Sequence, residues 1–338
     1  MIDENSEKIT VIMPVYNASK YLAESIESIL NQSYRNYFFY IINDKSTDNS
    51  LDIILEYAKK DSRIKVVDFE ENKGQSYSRN YGIKKATTPY VALMDADDIS
   101  NLTRFEKQLN FLEKNSDIDV CGSWFTIFGD IKTETIKHLE KHDDLKLNLL
   151  IGCYIGNPTV MSRRESINLY EFKKEFNPME DYQLWSEMIY NHKFHNIQES
   201  LLEYRWHENN ISKTANVNRE KLHAKIRFNQ LKNLDITGEL KENEAFLLAL
   251  QYIQTENLSK ILKIFKAAHV LKSKNKKLQV YNVAKLNELV NQNIVQIIKE
   301  VRKFNLKVLL EITLNHYDLY KELTAKQKRR FIKRCLYI

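Results

Sequence analysis

From Ile9 to Leu112, short apolar runs alternate with segments whose apolar residues recur every three or four positions. Ile9-Thr10-Val11-Ile12-Met13 is a β-rich run closed by Pro14, and Leu22, Ile26, Ile29 and Leu30 follow at helical spacing. Tyr37 to Ile42 predicts the next strand, and Asp48 stands where it can cap a helix burying Leu51, Ile54, Leu55 and Ala58. Ile64 to Phe69 predicts a third strand, Ser76 to Ala86 a helix and Tyr90 to Met94 a fourth strand. A helix through Leu102, Phe105, Leu109 and Leu112 comes next. Strands alternating with helices predict an α/β domain, a mainly parallel sheet with helices on both faces. Ligands of such sheets lie beyond the carboxyl ends of the strands, so the polar residues just after each strand are the first candidates for chemistry.

The pattern changes in the second half. Every proline and six of the seven glycines lie at or before Pro178, and only Gly238 follows. A long stretch with one such breaker predicts a mostly helical C-terminal region, placing a domain boundary between 1–218 and 219–338. Charge divides at the same place. Residues 1–218 hold 26 Lys/Arg against 34 Asp/Glu, and residues 219–338 hold 25 against 11, so a net +6 conceals −8 and +14. Within the basic half, Lys326 to Ile338 interleaves Lys and Arg with Phe331 and Leu336. That combination suits peripheral contact with an anionic membrane surface, at about 1 kcal/mol per cation near the leaflet. The alternative is a solvated helix whose apolar side packs on its own domain. No nucleic-acid motif accompanies the basic region, so a nucleic-acid partner is not expected.

With 43% hydrophobic and 28% charged residues the composition is globular, which excludes collagen-like and disordered classes. Cys121, Cys153 and Cys335 are odd in number, far apart and without C-x-x-C spacing. They indicate no disulfide framework and no thiolate metal site, and a reducing, cytoplasmic compartment is expected. The N-terminal residues lack a secretory pattern, and no apolar run approaches the ~20 residues that span a bilayer. The expected location is cytoplasmic, at most peripheral at the inner face of the membrane.

Polar clusters sit at the predicted strand ends: Pro14-Val15-Tyr16-Asn17, Asn43-Asp44-Lys45-Ser46-Thr47-Asp48 and Asp95-Ala96-Asp97-Asp98. A single Asp after a strand is ordinarily a cap or turn residue. Three carboxylates in four positions repel one another, and a divalent cation relieves that repulsion. Hard oxygen ligands suit Mg²⁺ or Mn²⁺, which keep positions open for phosphate oxygens. A solvated acidic turn with Asp98 capping the next helix is the alternative.

Together with Asn72-Lys73-Gly74, Arg79-Asn80-Tyr81-Gly82 and Glu180-Asp181, these clusters follow the order and spacing of family 2 glycosyltransferases, which the sequence resembles over about residues 8–215. Gly122-Ser123-Trp124, Gly156-Asn157-Pro158 and Tyr204-Arg205-Trp206-His207 make it most similar to bacterial enzymes that extend lipopolysaccharide, lipooligosaccharide or capsule from a UDP-sugar. The resemblance implies a GT-A fold, a Rossmann-like arrangement, with an inverting mechanism and Mn²⁺ or Mg²⁺ as cofactor. It implies that Pro14, Val15 and Tyr16 hold uracil and ribose, that Asp44 accepts the uracil N3–H, and that Asn72, Arg79 and Ala96 lie at the nucleotide. Asp97 would bind the metal, Asp95 would contact the ribose or reach the metal through water, and Asp98 would support them. His207 would complete the metal site or touch the diphosphate, Arg205 would orient its loop or neutralise phosphate charge, and Asp181 would be the catalytic base. Without the resemblance, Glu180-Asp181 would simply cap the helix through Leu184, Trp185 and Met188.

Two departures stand out. The family's acidic pair followed by Gly appears as Asn43-Asp44-Lys45, which puts the local turn in question. Glu203-Tyr204-Arg205-Trp206 is not the Q-x-x-R-W of processive membrane synthases. The expected activity is therefore inverting, metal-dependent transfer of a hexose or N-acetylhexosamine from a UDP-sugar to a hydroxyl of a glycan acceptor, lipid-linked or free. The alternative is a catalytically silent nucleotide-sugar-binding protein of the same fold. The C-terminal helices would pack on the first domain or on another copy in a homo-oligomer.

Overall fold

The first apolar run folds as β1 (Ile9–Val15), with every residue but Pro14 buried. It is the central strand of a parallel set. The computed structural model describes residues 7–207, 217–251, 254–301 and 304–336. After β1 come α1 (Leu22–Leu30), β2 (Tyr37–Asn43), α2 (Ser50–Lys60), β3 (Ile64–Asp68), α3 (Gln75–Lys85) and β4 (Tyr90–Leu93). β1 pairs in parallel with β2 and β4, and β2 with β3, as the alternation predicts. α1 turns Leu22, Ile26 and Ile29 inward, where they join Val11, Met13, Phe39 and Ile41 in one apolar core.

Beyond β4 the sheet becomes mixed. The chain continues through β5 (Ile99–Ser100), α4 (Arg104–Lys114), β6 (Val120–Gly129), β7 (Glu134–Ile136), α5 (His142–Asn148), β8 (Met161–Arg163), α6 (Arg164–Ile167), α7 (Glu180–Met188) and β9 (Phe194–Trp206). The strand order is β3-β2-β1-β4-β8-β6-β9-β5, with β7 on β6. β8 is antiparallel to both β4 and β6, while β9 runs parallel to β6 with register shifts at Ser123/Trp124 and Trp124/Thr126. Such irregularities bend and twist a ribbon. This long ribbon carries Tyr204 to His207 back to the end of β4, because β9 also pairs with β5, directly after the acidic cluster.

These elements make one compact unit, Met1–Lys146 with Cys153–Arg219; Leu147–Gly152 with Glu220–Ile338 makes a second. The second unit holds α9 (Leu240–Leu250), α10 (Leu258–Leu278), α11 (Val283–Glu300), α12 (Leu306–Asn315), α13 (Tyr317–Glu322) and α14 (Ala325–Leu336), and most of α8 (Val217–Leu231). It also takes up the six residues Leu147–Gly152, which a single boundary does not anticipate. Leu149 and Leu150 are fully buried there, and their carbonyls accept from Gln230 Nε2 (2.8 Å) and Arg227 Nε (2.6 Å). Three helices start on an Asn side chain: Asn257, Asn282 and Asn305 accept the backbone N–H of Lys260, Lys285 and Val308.

The C-terminal helix corrects one expectation. Phe331 is 1% exposed and packs edge-on to Phe304 at 5.2 Å, so it is core and unavailable to lipid. Phe331 and Cys335 of α14 are used within its own unit, while Leu336 stays 43% exposed. No helix among the described residues is long and apolar enough to cross a membrane, and Cys121, Cys153 and Cys335 are free thiols.

Candidate active site

The turns after β1 and β2 are tied to each other. Asn17 Oδ1 accepts from Thr47 N–H (2.7 Å), and Ser46 Oγ accepts from Asn17 N–H (3.1 Å). Lys45 sits at φ 60°, so the left-handed turn for which Gly is best suited is kept by a lysine. Asp44 is 2% exposed. Its two carboxylate oxygens accept the N–H groups of Lys73 (2.7 Å) and Gly74 (2.8 Å), while its carbonyl accepts from Asn72 Nδ2 (3.0 Å). A glycine at φ 88° lets the chain at position 74 meet that carboxylate and start α3.

The acidic run after β4 separates into distinct environments. Asp95 Oδ1 accepts from Arg79 Nη2 at 2.8 Å, and Arg79 Nη1 donates to Glu180 Oε1 at 3.1 Å, which also accepts from Gln75 Nε2 at 2.6 Å. Arg79 and Glu180 are 5% and 2% exposed, so this is a buried bridge between α3, β4 and α7. Asp97 Oδ2 lies 2.9 Å from His207 Nε2. Asp98 is fully buried and accepts Arg205 N–H at 2.9 Å. Burial, then the neighbouring carboxylates, holds the Asp97 carboxyl above the usual range and the Asp98 carboxyl well above it. From the core side, fully buried Arg104 donates to Leu93 and Val160 carbonyls (2.9 and 3.2 Å), and burial brings its guanidinium down to about 9.

Asp97 and His207 thus form a carboxylate–imidazole pair, the two side chains that would hold a divalent cation. Asp95 turns instead to Arg79. Among the described residues no three such groups converge on one point.

Asp181 sits in the first turn of α7, half-buried, with Oδ1 accepting Tyr182 N–H at 2.6 Å. Burial, followed by the adjacent Glu180 charge, pushes its carboxyl up to about 6 against the pull of Arg79. A cavity of about 990 Å³ collects these parts. It is lined by Pro14, Val15, Tyr16, Asp44, Asn72, Arg79, Asp95, Ala96, Asp97, Asp181 and His207, all expected from the sequence. Arg205 is not in that lining. Its guanidinium lies 4.5 Å from the Tyr21 ring centre and 4.6 Å from that of Phe128, with Nε donating to Asp97 O (2.9 Å) and Nη2 to Glu24. Those contacts anchor the guanidinium at the end of β9, as an orienting role for the loop would require. Sequence reasoning missed Gln75, Arg104, Phe125 and His138, and it named Asn157, Tyr204 and Trp206 only as motif residues, without a place in the site.

A family model described as glycosyl transferase family 2 matches residues 10–169. A teichuronic acid biosynthesis glycosyltransferase of Bacillus subtilis, itself a putative assignment, is 33% identical over 60% of this chain and 81% of its own length. The chain belongs to glycosyl transferase family 2. An uncharacterized glycosyltransferase of Haemophilus influenzae is 29% identical over 98% of both chains. An Escherichia coli family member, UDP-Glc:alpha-D-GlcNAc-diphosphoundecaprenol beta-1,3-glucosyltransferase, is 30% identical over 70% of this chain and 87% of that one. S. aureus TarS 1-349, solved with UDP-GlcNAc, superposes with a TM-score of 0.57 at 17% identity over 84% of this chain and 92% of TarS. At that identity the likeness establishes the fold, which for this glycosyltransferase is GT-A, followed by a mostly helical region.

Proposed function

We propose that this glycosyltransferase transfers a hexose or N-acetylhexosamine, with inversion, from a UDP-sugar to a hydroxyl of a bacterial surface glycan of the lipopolysaccharide, lipooligosaccharide or capsule type. The observation that carries the reading is that one cavity is lined by the turns after β1 and β2, by the Asp97–His207 pair and by a carboxylate with a raised pKa. Half-exposed Tyr16 offers a face for uracil, with Asp44 below it, already fixed by two backbone N–H groups. Asp97 and His207 would hold Mn²⁺ or Mg²⁺, whose charge stabilises a departing diphosphate. Asp181 takes the proton of the acceptor hydroxyl as that oxygen bonds to the anomeric carbon, and the bond from that carbon to the diphosphate oxygen breaks on the opposite face. Backside displacement inverts the centre. Arg79 holds Asp95 and Glu180 in place at the edge of the cavity. The Escherichia coli relative, whose name gives a diphosphoundecaprenol acceptor, supports a lipid-linked glycan here. The basic second unit would then meet the anionic membrane carrying it.

The test is UDP release from a panel of UDP-sugars with Mn²⁺, with Mg²⁺ and with chelator. One donor should support metal-dependent release, and Asp97→Ala should lower it by about 10²-fold or more. Release that persists unchanged in chelator, or in Asp97→Ala, overturns the assignment of the pair.

A further inference from the structure

The cavity wall formed by the paired strands β6 and β9 carries side chains that the proposed transfer does not use. Strand alternation puts Phe125 and Ile127 of β6 on one face, and the register sets Ile127 opposite Tyr204 and Gly129 opposite Trp206. All four residues line the cavity and are partly exposed, while Phe125 and Tyr204 also pack against the apolar core of the sheet. The ring centres of Phe125 and Tyr204 are 5.6 Å apart, and His138 extends the group at 5.4 Å from Phe125. On the reverse face, Arg205 lies between the Tyr21 and Phe128 rings, so the ribbon is held from behind. This is an aromatic plate on a braced strand pair.

Beside the plate runs Cys153 to Pro158. A Cβ at Gly156 would stand 3.1 Å from the Phe125 ring, so this segment lies directly against it. Asn157 also lines the cavity, is 6% exposed, and its buried Oδ1 has no hydrogen-bond partner among the described residues. A buried acceptor left without a donor is costly, and a ligand hydroxyl removes that cost. Burial brings the His138 imidazole down to about 4, so it is neutral and adds no charge. At its other end the segment adjoins Asp181, whose charge, after burial, raises the Cys153 thiol. The plate thus lies on the base's side of the cavity.

We propose that Phe125, Ile127, Tyr204 and Trp206, with His138 and Asn157, form a subsite for a neutral pyranose ring of the acceptor: the ring's C–H face lies on the plate and one hydroxyl donates to Asn157 Oδ1. Axial C–H groups are weakly positive and meet the negative face of an aromatic ring, and the plate itself offers no charge to a carboxylated sugar. The subsite rests on the glycosyltransferase reading for its role, and it is tested by binding, apart from turnover.

The probes are p-nitrophenyl β-pyranosides of glucose, galactose and N-acetylglucosamine, with the glucuronide as charged control. They are followed by saturation-transfer NMR with and without UDP and Mn²⁺, while UDP affinity is measured by calorimetry. At least one neutral pyranoside should bind through its ring protons, more tightly than the glucuronide. Phe125→Leu, which keeps apolar volume, and Asn157→Ala should each weaken it by about tenfold while UDP affinity holds. Asn157→Ala should leave the melting temperature level or higher, since it removes an unpartnered buried oxygen; a merely structural Asn157 would lower it. Failure of every neutral pyranoside to bind a wild type that binds UDP overturns the subsite. So does a loss confined to UDP-sugar affinity, which assigns the plate to the donor. Failure to bind UDP alongside retained pyranoside binding overturns the nucleotide reading and leaves the subsite standing.

Discussion

At the scale of single residues, the base role proposed for Asp181 would couple catalysis to stability. Its carboxyl is pushed up to about 6 by burial and then by Glu180, against an ordinary value near 3.9. A base must be ionised, so kcat/KM should fall about tenfold per pH unit below ~6 and level off above ~7. The stability change runs the other way. The native state binds more protons than the unfolded chain between about pH 4 and 6, so folding loses free energy as pH rises through that window. Asp181→Asn should therefore cut transfer by about 10²–10⁴-fold and raise stability at pH 7 by about 1–3 kcal/mol, read by denaturant unfolding. A variant that loses activity and stability together would make Asp181 a structural cap. What surrounds this residue is not legible in the chain order. Asp97, Asp181 and His207 stand in recognisable motifs, whereas Glu180 meets Gln75 and Arg79 across 105 and 101 positions, and Arg104 reaches the Val160 carbonyl across 56. Buried polar partnerships of that reach leave no spacing to read. Lys45 shows the converse: a departure in type that the backbone absorbs, since the turn keeps its positive φ without glycine.

At the scale of elements, legibility follows how each strand is buried. β1 and β2 are buried on both faces, so they read as continuous apolar runs. β9 mixes exposed and buried positions across register shifts, β5 has two residues, and β8 has three, so none of them shows a sustained period. That ribbon carries His207 and the aromatic plate, which is why this wall of the cavity escapes a reading by periodicity. α3 is readable as an element but not in its packing, because its polar sequence hides how close it comes to the sheet. A Cβ at Gly82 would lie 2.6 Å from Ile12 Cγ2 and 3.0 Å from Ile42 Cδ1, both fully buried side chains. Gly82→Ala must push α3 away from β1 despite the better helix propensity of alanine. It should destabilise the protein by about 1–3 kcal/mol. It should also weaken UDP binding, because α3 holds Arg79 and follows the Lys73 and Gly74 N–H groups that fix Asp44. An unchanged melting temperature would show that the helix has room to move.

At the scale of the whole molecule, charge and apolar exposure concentrate in the second unit, and their arrangement differs from the one read in the sequence. Phe331 and Cys335 turn inward, leaving Lys326, Arg329, Arg330 and Lys333 exposed on α14. Exposed apolar surface appears instead on α12, where Leu306, Leu310 and Leu314 recur at four-residue spacing at 55%, 50% and 74% exposure, followed by exposed Tyr317 at the start of α13. A leucine ridge left in water is unusual, and any cover for it would have to tolerate a region carrying +14. A second copy would set like charges against each other; an anionic leaflet accepts both cations and leucines. Sedimentation with vesicles of phosphatidylglycerol and phosphatidylcholine should show binding that rises with the anionic fraction and falls between ~50 and ~500 mM salt. Leu310→Gln with Leu314→Gln should weaken it at every salt concentration, whereas Arg329→Gln with Arg330→Gln should weaken it at low salt only, by about 1 kcal/mol per charge. Because α14 buries Phe331 whatever its outer face carries, the charge variants should keep their melting temperature, and UDP release from a soluble donor should stay at the wild-type rate. Binding that ignores lipid charge, or concentration-dependent dimers that vanish in the leucine variant, would instead assign the ridge to a second copy of the chain.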